Sequence, residues 1–176
     1  MGVRVGRMTA LWLVPILFLV HNSEEGIMMR ATLDEVRIGM PRFLRVFLPP
    51  VTYEQYLVSL VLVTALAFCC AWFGQIDRSR SWGMYVLVGL QMVLLLNVVA
   101  HVTTLAVVGH YTAGSVTALL INLPFFLYLL GRARNEDWVG RRGLILLIPV
   151  AFVVHTPVLF GFLFISGFIS RFLFGA

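Results

Sequence analysis

The chain has 176 residues, 60% hydrophobic and only 12% charged, with a mean hydropathy of +0.95 and a formal net charge of +5. A soluble domain carries about 25% charged residues, so this composition excludes one and points to an all-α integral membrane bundle of about five helices in a single domain. The apolar runs are continuous rather than alternating in segments of roughly ten residues, which excludes a transmembrane β-barrel.

The first element is expected over residues 8–28. Residues 8–20 carry no charge, and a spanning helix needs roughly 20 residues at about 1.5 Å each. It must therefore continue through His21, Glu24 and Glu25. Arg4, Arg7 and the apolar core imitate a secretory signal peptide, but Val20, His21 and Asn22 stand where a small-x-small cleavage site is needed. The segment reads as an uncleaved helix. Gly2 does not make a myristoylation site, because Gly6 occupies the position where Ser or Thr is wanted.

Residues 31–48 mix arginines with large apolar residues and read as an interfacial segment broken at Pro41, or as an ordinary charged loop. Pro49 and Pro50 stop any helix, and Thr52 with Gln55 forms a capping-box start for helix 2 over 53–75. Cys69 and Cys70 are adjacent in that run and read as packing residues. Helix 3 is expected over 82–109 with Ser79 or Ser81 as cap, helix 4 over 112–130 with Thr112 as cap, and helix 5 over 144–173. Prolines 15, 124, 149 and 157 fall inside runs and predict local kinks with freed carbonyls.

The basic residues are all arginine. Arg4, Arg7, Arg78, Arg80, Arg132, Arg134, Arg141 and Arg142 fall on one side of the spans; Arg30, Arg37, Arg42, Arg45 and Arg171 fall on the other. By the positive-inside rule the N-terminus is cytoplasmic and the protein sits in the cytoplasmic (inner) membrane. These arginines flank spans instead of forming one basic face, so nucleic acid is not expected as a partner.

Ionisable residues at membrane depth are costly and are functional candidates. Glu24 and Glu25 are the acidic residues that belong to a span. His21 and Glu25 are four apart and share a helix face, with Glu24 flanking it. On helix 3, Asn97 and His101 are also four apart. Helices 1, 3 and 5 run in one direction, which puts His21 and His101 within roughly 5 Å of one depth; His155 lies nearer the middle. His110, in the outer turn, reads as solvated.

Such a cluster points to metal chemistry. In the H-x-x-E-H pattern of inverted zinc peptidases two histidines are ligands and the intervening Glu is a base. Here H-x-x-E-E puts Glu25 at the second ligand position. His21, Glu25 and His101 then form a three-ligand site with an open position, with His155 as a further candidate ligand. Glu24 is placed as general base and Asn97 as an orienting or oxyanion-stabilising group. Zinc or iron is the expected ion, since two histidines with one carboxylate also suit non-haem iron. Simpler roles stand beside these: headgroup-level polarity with a Glu24 or Glu25 pair to Arg30, an interhelical Asn97–His101 hydrogen-bond pair, and His155 as a packing residue.

Taken together, His21, Glu24, Glu25, the Asn97-x-x-x-His101 pair and the block beginning Tyr111-Thr112-Ala113-Gly114-Ser115, with Pro124 after it, resemble the HXXEE-motif membrane proteins over roughly residues 10–135. The resemblance implies a small bacterial multi-helix membrane protein. It supports this choice of residues and supplies no substrate. Ala113 stands where that family commonly has a proline before the glycine matched by Gly114.

The expected activity is a metal-dependent intramembrane enzyme, a hydrolase or other Lewis-acid catalyst, acting on a membrane lipid or another apolar small-molecule substrate. A non-haem iron oxidase or desaturase-like enzyme is the alternative within that class. A proton-coupled small-molecule transporter, or a structural membrane subunit, would use the same polar residues differently.

Overall fold

A computed structural model describes residues 5–39, 41–42, 51–76 and 81–175. The described residues are helical and turn, with no strand among them. Among the described residues five long helices follow in order: α1 (Arg7–Gly39), α2 (Tyr53–Ile76), α3 (Ser81–Val108), α4 (Ser115–Asn135) and α5 (Arg141–Phe174). Four of them, α2 to α5, carry segments long and apolar enough to cross a membrane. The 33-residue α1 is not among these four, because polar residues run in succession from His21 to Glu25.

α1 packs against α2, α3 and the start of α4, and α5 packs against α2 and α3. The contacts follow two stripes of alternating three- and four-residue spacing. On α1 the buried stripe is Leu11, Val14, Phe18, His21 and Glu25; on α3 it is Met84, Leu87, Gln91, Leu94, Val98 and His101. That spacing keeps one seam of a helix facing its neighbours. The apolar members make the core with Ala67 and Ala71 of α2 and Phe126 and Leu129 of α4. The same stripe then carries His21, Glu25 and His101 inside as its polar end. Outward, α1 shows Ile16, Leu19, Val20 and Ile27.

α1 does not end at Met28 but continues to Gly39. Residues 31–39, read as part of an interfacial segment, are thus one helix with the polar turn. Pro41, which has no backbone N–H to continue a helix, stands two residues beyond that end. The rest of that segment, Met40 and residues 43–48, lies outside the described residues, as do Pro49, Pro50, Ser79 and the side chain of Ser81.

Thr52 caps α2: its Oγ1 accepts a hydrogen bond from the Gln55 amide at 3.2 Å. The Gln55 side chain does not return to the cap but donates to the Leu163 carbonyl of α5 at 2.7 Å. α4 contains one π-helical stretch, Ala118–Asn122, immediately before Pro124. A proline at 124 lacks an N–H and collides with the carbonyl four residues back, and a widened turn accommodates both effects.

At the Arg7 end of the bundle, Glu136 ties three segments together. Arg132 grips its carboxylate with two hydrogen bonds, 2.9 and 3.0 Å, and the Trp138 indole N–H donates at 2.8 Å. The Trp138 hydrogen bond, joined by Arg132, holds the Glu136 carboxyl below its ordinary value. Arg132 also donates to the Val5 carbonyl, and its guanidinium stands 4.9 Å from the Trp138 ring centre.

Candidate metal centre

His21 and Glu25 come from consecutive turns of α1 and His101 from α3. One ligand atom from each lies within 4.8 Å of the others, and among the described residues this is the group of three or more such side chains able to share an ion. His101 Nε2 is 3.6 Å from Glu25 Oε1, and His21 Nε2 is 3.8 Å from Glu25 Oε2. The two imidazoles meet edge to face, 4.8 Å between centres at 82°. Ligand atoms around tetrahedral zinc at about 2.0–2.1 Å lie roughly 3.3 Å apart, so the cluster is slightly wider than a closed shell.

His21 and Glu25 are held by hydrogen bonds from neighbouring side chains. The Asn97 amide donates to His21 Nε2 at 3.0 Å, so the imidazole proton sits on Nδ1. That N–H donates to Thr117 Oγ1 at 2.8 Å, and the Thr117 hydroxyl donates in turn to the Gly114 carbonyl at 3.4 Å. A hydroxyl bonded to the far imidazole nitrogen fixes tautomer and ring angle, as partners of metal-bound histidines do. Tyr56 of α2 donates its hydroxyl to Glu25 Oε1. The cluster is thus built from α1 and α3 and braced by α2 and α4.

Gly114 closes the site from above. Its φ is +82°, a region that side chains other than glycine rarely adopt. A Cβ there would stand 2.6 Å from His101 Cε1 and 3.0 Å from His21 Cε1. The backbone lies directly on both imidazoles, and a glycine is the residue that allows it.

Glu24 faces the start of α4. Its Oε1 accepts from the Tyr111 hydroxyl at 2.8 Å and the Val116 amide at 3.3 Å, and its Oε2 accepts from the Thr117 amide at 2.8 Å. The first amides of a helix have no partner within it, and a carboxylate there also meets the positive end of the helix dipole. Glu24 therefore caps α4 from another helix. Desolvation, helped by the hydrogen bond to Glu24, pushes the Tyr111 hydroxyl up to about 12. Thr112, the expected cap, instead bonds Ser115: the two hydroxyl oxygens are 2.6 Å apart.

His155 does not join the cluster. It is half-buried on α5, outside the set whose ligand atoms converge. His110 is exposed, its Nδ1 bonded to the Tyr111 carbonyl at 3.1 Å. Arg30 pairs with neither glutamate; its guanidinium stands 5.8 Å from the Tyr53 ring centre. Tyr56, Thr117 and Gly114 are the contributors that the motif spacing does not reveal as parts of one site. Each touches the cluster through a partner distant in sequence.

The family model for a protein of unknown function with HXXEE motif matches residues 12–129. That is well over half of the chain, and the chain belongs to the HXXEE family. The match spans all three converging residues and their braces on α2 and α4. Comparison with curated proteins and with solved structures gives no match.

Proposed function

We propose that the protein is a five-span enzyme of the cytoplasmic membrane, N-terminus inside, whose His21, Glu25 and His101 hold a zinc or iron ion for Lewis-acid chemistry, hydrolysis foremost, on a lipid or other apolar substrate. The carrying observation is the convergence of three ligand atoms from two helices, with His21 and Glu25 braced by further side chains. Membrane burial of α1 is supported by its polarity, which is turned inside out: Ile16, Leu19, Val20 and Ile27 face outward, whereas His21, Asn22 and Glu25 face in. Ionisable groups within spans characteristically turn to the bundle interior.

A divalent ion at this point supplies a concentrated positive charge in a medium of low dielectric. The protein's own groups do the rest. His21 is presented as a neutral imidazole whose Nε2 is free of a proton, because Nδ1–H is committed to Thr117. The Asn97 amide donates to that nitrogen. Were Nε2 to hold an ion, the Asn97 amide N–H would be free to donate to a substrate oxygen. Tyr56 and Glu25 form the pair that holds or passes a proton. Glu24, with its oxygens committed to Tyr111, Val116 and Thr117, acts as a positioning group that keeps Gly114 and Thr117 on the imidazoles, in place of the general-base role expected from the motif.

Metal analysis of the detergent-purified protein tests this reading. About one equivalent of zinc or iron per chain is expected, removed by His21→Ala with Glu25→Ala. Equal metal content in both proteins would overturn the ligand assignment.

A further inference from the structure

A cavity lies on the outer side of the α1–α2 seam. It is a groove of about 620 Å³ whose apolar lining includes Leu19, Ile27, Leu57, Val61, Ala65 and Phe68. That volume falls within the range of about 300–1,000 Å³ typical of small-molecule sites. From Tyr53 to Phe68 it follows α2 for about 22 Å at 1.5 Å per residue.

The polar side chains in its walls direct their donors at protein acceptors. Asn22 donates to Thr64 Oγ1 at 2.7 Å, and Thr64 donates to the Leu60 carbonyl at 2.8 Å. Ser23 donates to the Leu19 carbonyl at 2.7 Å, and Tyr53 to the Gly26 carbonyl at 3.0 Å. With those groups spent on one another, the groove presents a hydrocarbon wall. One end differs. There exposed Arg30 stands over the Tyr53 ring, and it forms no ion pair among the described residues.

The groove also adjoins the metal cluster. Asn22 and Gly26 follow His21 and Glu25 directly on α1, and Leu57 follows Tyr56 on α2. Cluster and groove are therefore two sides of one seam, with a cation where the groove ends.

We propose that this groove binds one acyl chain of an anionic membrane phospholipid, with the phosphate at Arg30, and so names the substrate class of the neighbouring centre. The inference rests on the metal-enzyme reading only for the word substrate; occupancy of the groove is a separate property. A hydrocarbon trough about 22 Å long, open to the lipid-facing side, fits an extended chain better than a compact ring system. A single arginine fits a phosphate as a charge partner.

The test is photo-crosslinking in nanodiscs, using phosphatidylglycerol with a diazirine near the end of one chain, followed by mapping of adducts. Adducts on Val61, Ala65 and Phe68 should exceed, several-fold, those on the equally lipid-facing Phe164 and Phe168 of α5. Ala65→Trp, at an exposed position, should lower groove labelling several-fold, and Val61→Phe serves as a second filling variant. Arg30→Gln should remove a preference of about five-fold for phosphatidylglycerol over phosphatidylcholine. Labelling spread evenly over α2 and α5, or unchanged by both filling variants, would overturn the groove. An unchanged headgroup preference in Arg30→Gln would overturn the phosphate contact. Metal content, measured on the same samples, reports on the catalytic centre independently: filling variants that retain their metal separate failure of the groove from failure of the centre.

Discussion

His101 Nε2 stands 3.6 Å from Glu25 Oε1, which joins a histidine of α3 to the last residue of the H-x-x-E-E turn on α1. Both side chains are buried. Burying a carboxylate is costly unless it is paired or coordinated, and here two imidazoles and a phenol surround it. The consequences of that arrangement can be measured residue by residue.

Gly114→Ala is expected to damage the centre without altering any ligand. The positive φ alone costs about 1–2 kcal/mol for a residue with a Cβ, and the new methyl collides with both imidazoles. Metal content should fall sharply while helical content by circular dichroism stays near that of the wild type. Full metal loading in this variant would show that the backbone of residue 114 does not confine the rings.

Tyr56→Phe removes the hydroxyl that donates to Glu25. A hydrogen bond to a charged group contributes about 1.5–3 kcal/mol, and loss of a partner behind a metal ligand commonly weakens metal binding about 10–100-fold. Competition with a chelator of known affinity measures the change. An affinity equal to that of the wild type would remove Tyr56 from the account.

Glu24→Ala should loosen the start of α4. Loss of a helix cap costs about 0.5–2 kcal/mol, and the amides of Val116 and Thr117 should exchange with deuterium faster than in the wild type. The Tyr111 hydroxyl supplies a pH signature of the same contact. Its folded-state value, about 12, lies above the ordinary 10. The stabilisation that depends on the neutral phenol, from burial first and the Glu24 hydrogen bond second, is therefore complete below pH 10 and is lost as pH rises through 12. Difference absorbance between wild type and Tyr111→Phe should show one phenol ionising late; ionisation at its ordinary value would contradict the contact.

Asn122→Leu is expected to stabilise the bundle. Asn122 is fully buried, and neither of its amide atoms has a hydrogen-bond partner among the described residues; the same holds for Gln91 on α3. An unsatisfied buried polar group costs about 1–3 kcal/mol, so a leucine of similar size should raise the resistance to unfolding in mixed micelles. Marked destabilisation would mean that the amide makes a contact of its own.

Much of this arrangement is legible in the chain. The pair His21 and Glu25 is marked by its four-residue spacing, and His101 by its depth on a parallel helix. The stripe from Leu11 through Val14 and Phe18 continues in phase to His21 and Glu25, so the apolar spacing itself says that these polar residues point inward. Other parts are not local. Glu24 reads as a base beside a ligand, yet its carboxylate is used by amides 92 and 93 residues away. Tyr56 looks like an ordinary residue in the first turns of α2 until α1 is packed beside it. Gly114 shows as a turn glycine, but the imidazoles beneath it belong to two other helices. The charged residues after Met28 suggest an interfacial break, whereas they continue α1 to Gly39.

The most direct measurement is X-ray absorption at the metal edge of the purified, metal-loaded protein. The account predicts two imidazole nitrogens at about 2.0–2.1 Å and carboxylate oxygen at about 2.0–2.2 Å, with one imidazole lost from the shell in His101→Ala. A first shell of oxygen atoms alone, or a spectrum unchanged by that substitution, would contradict it.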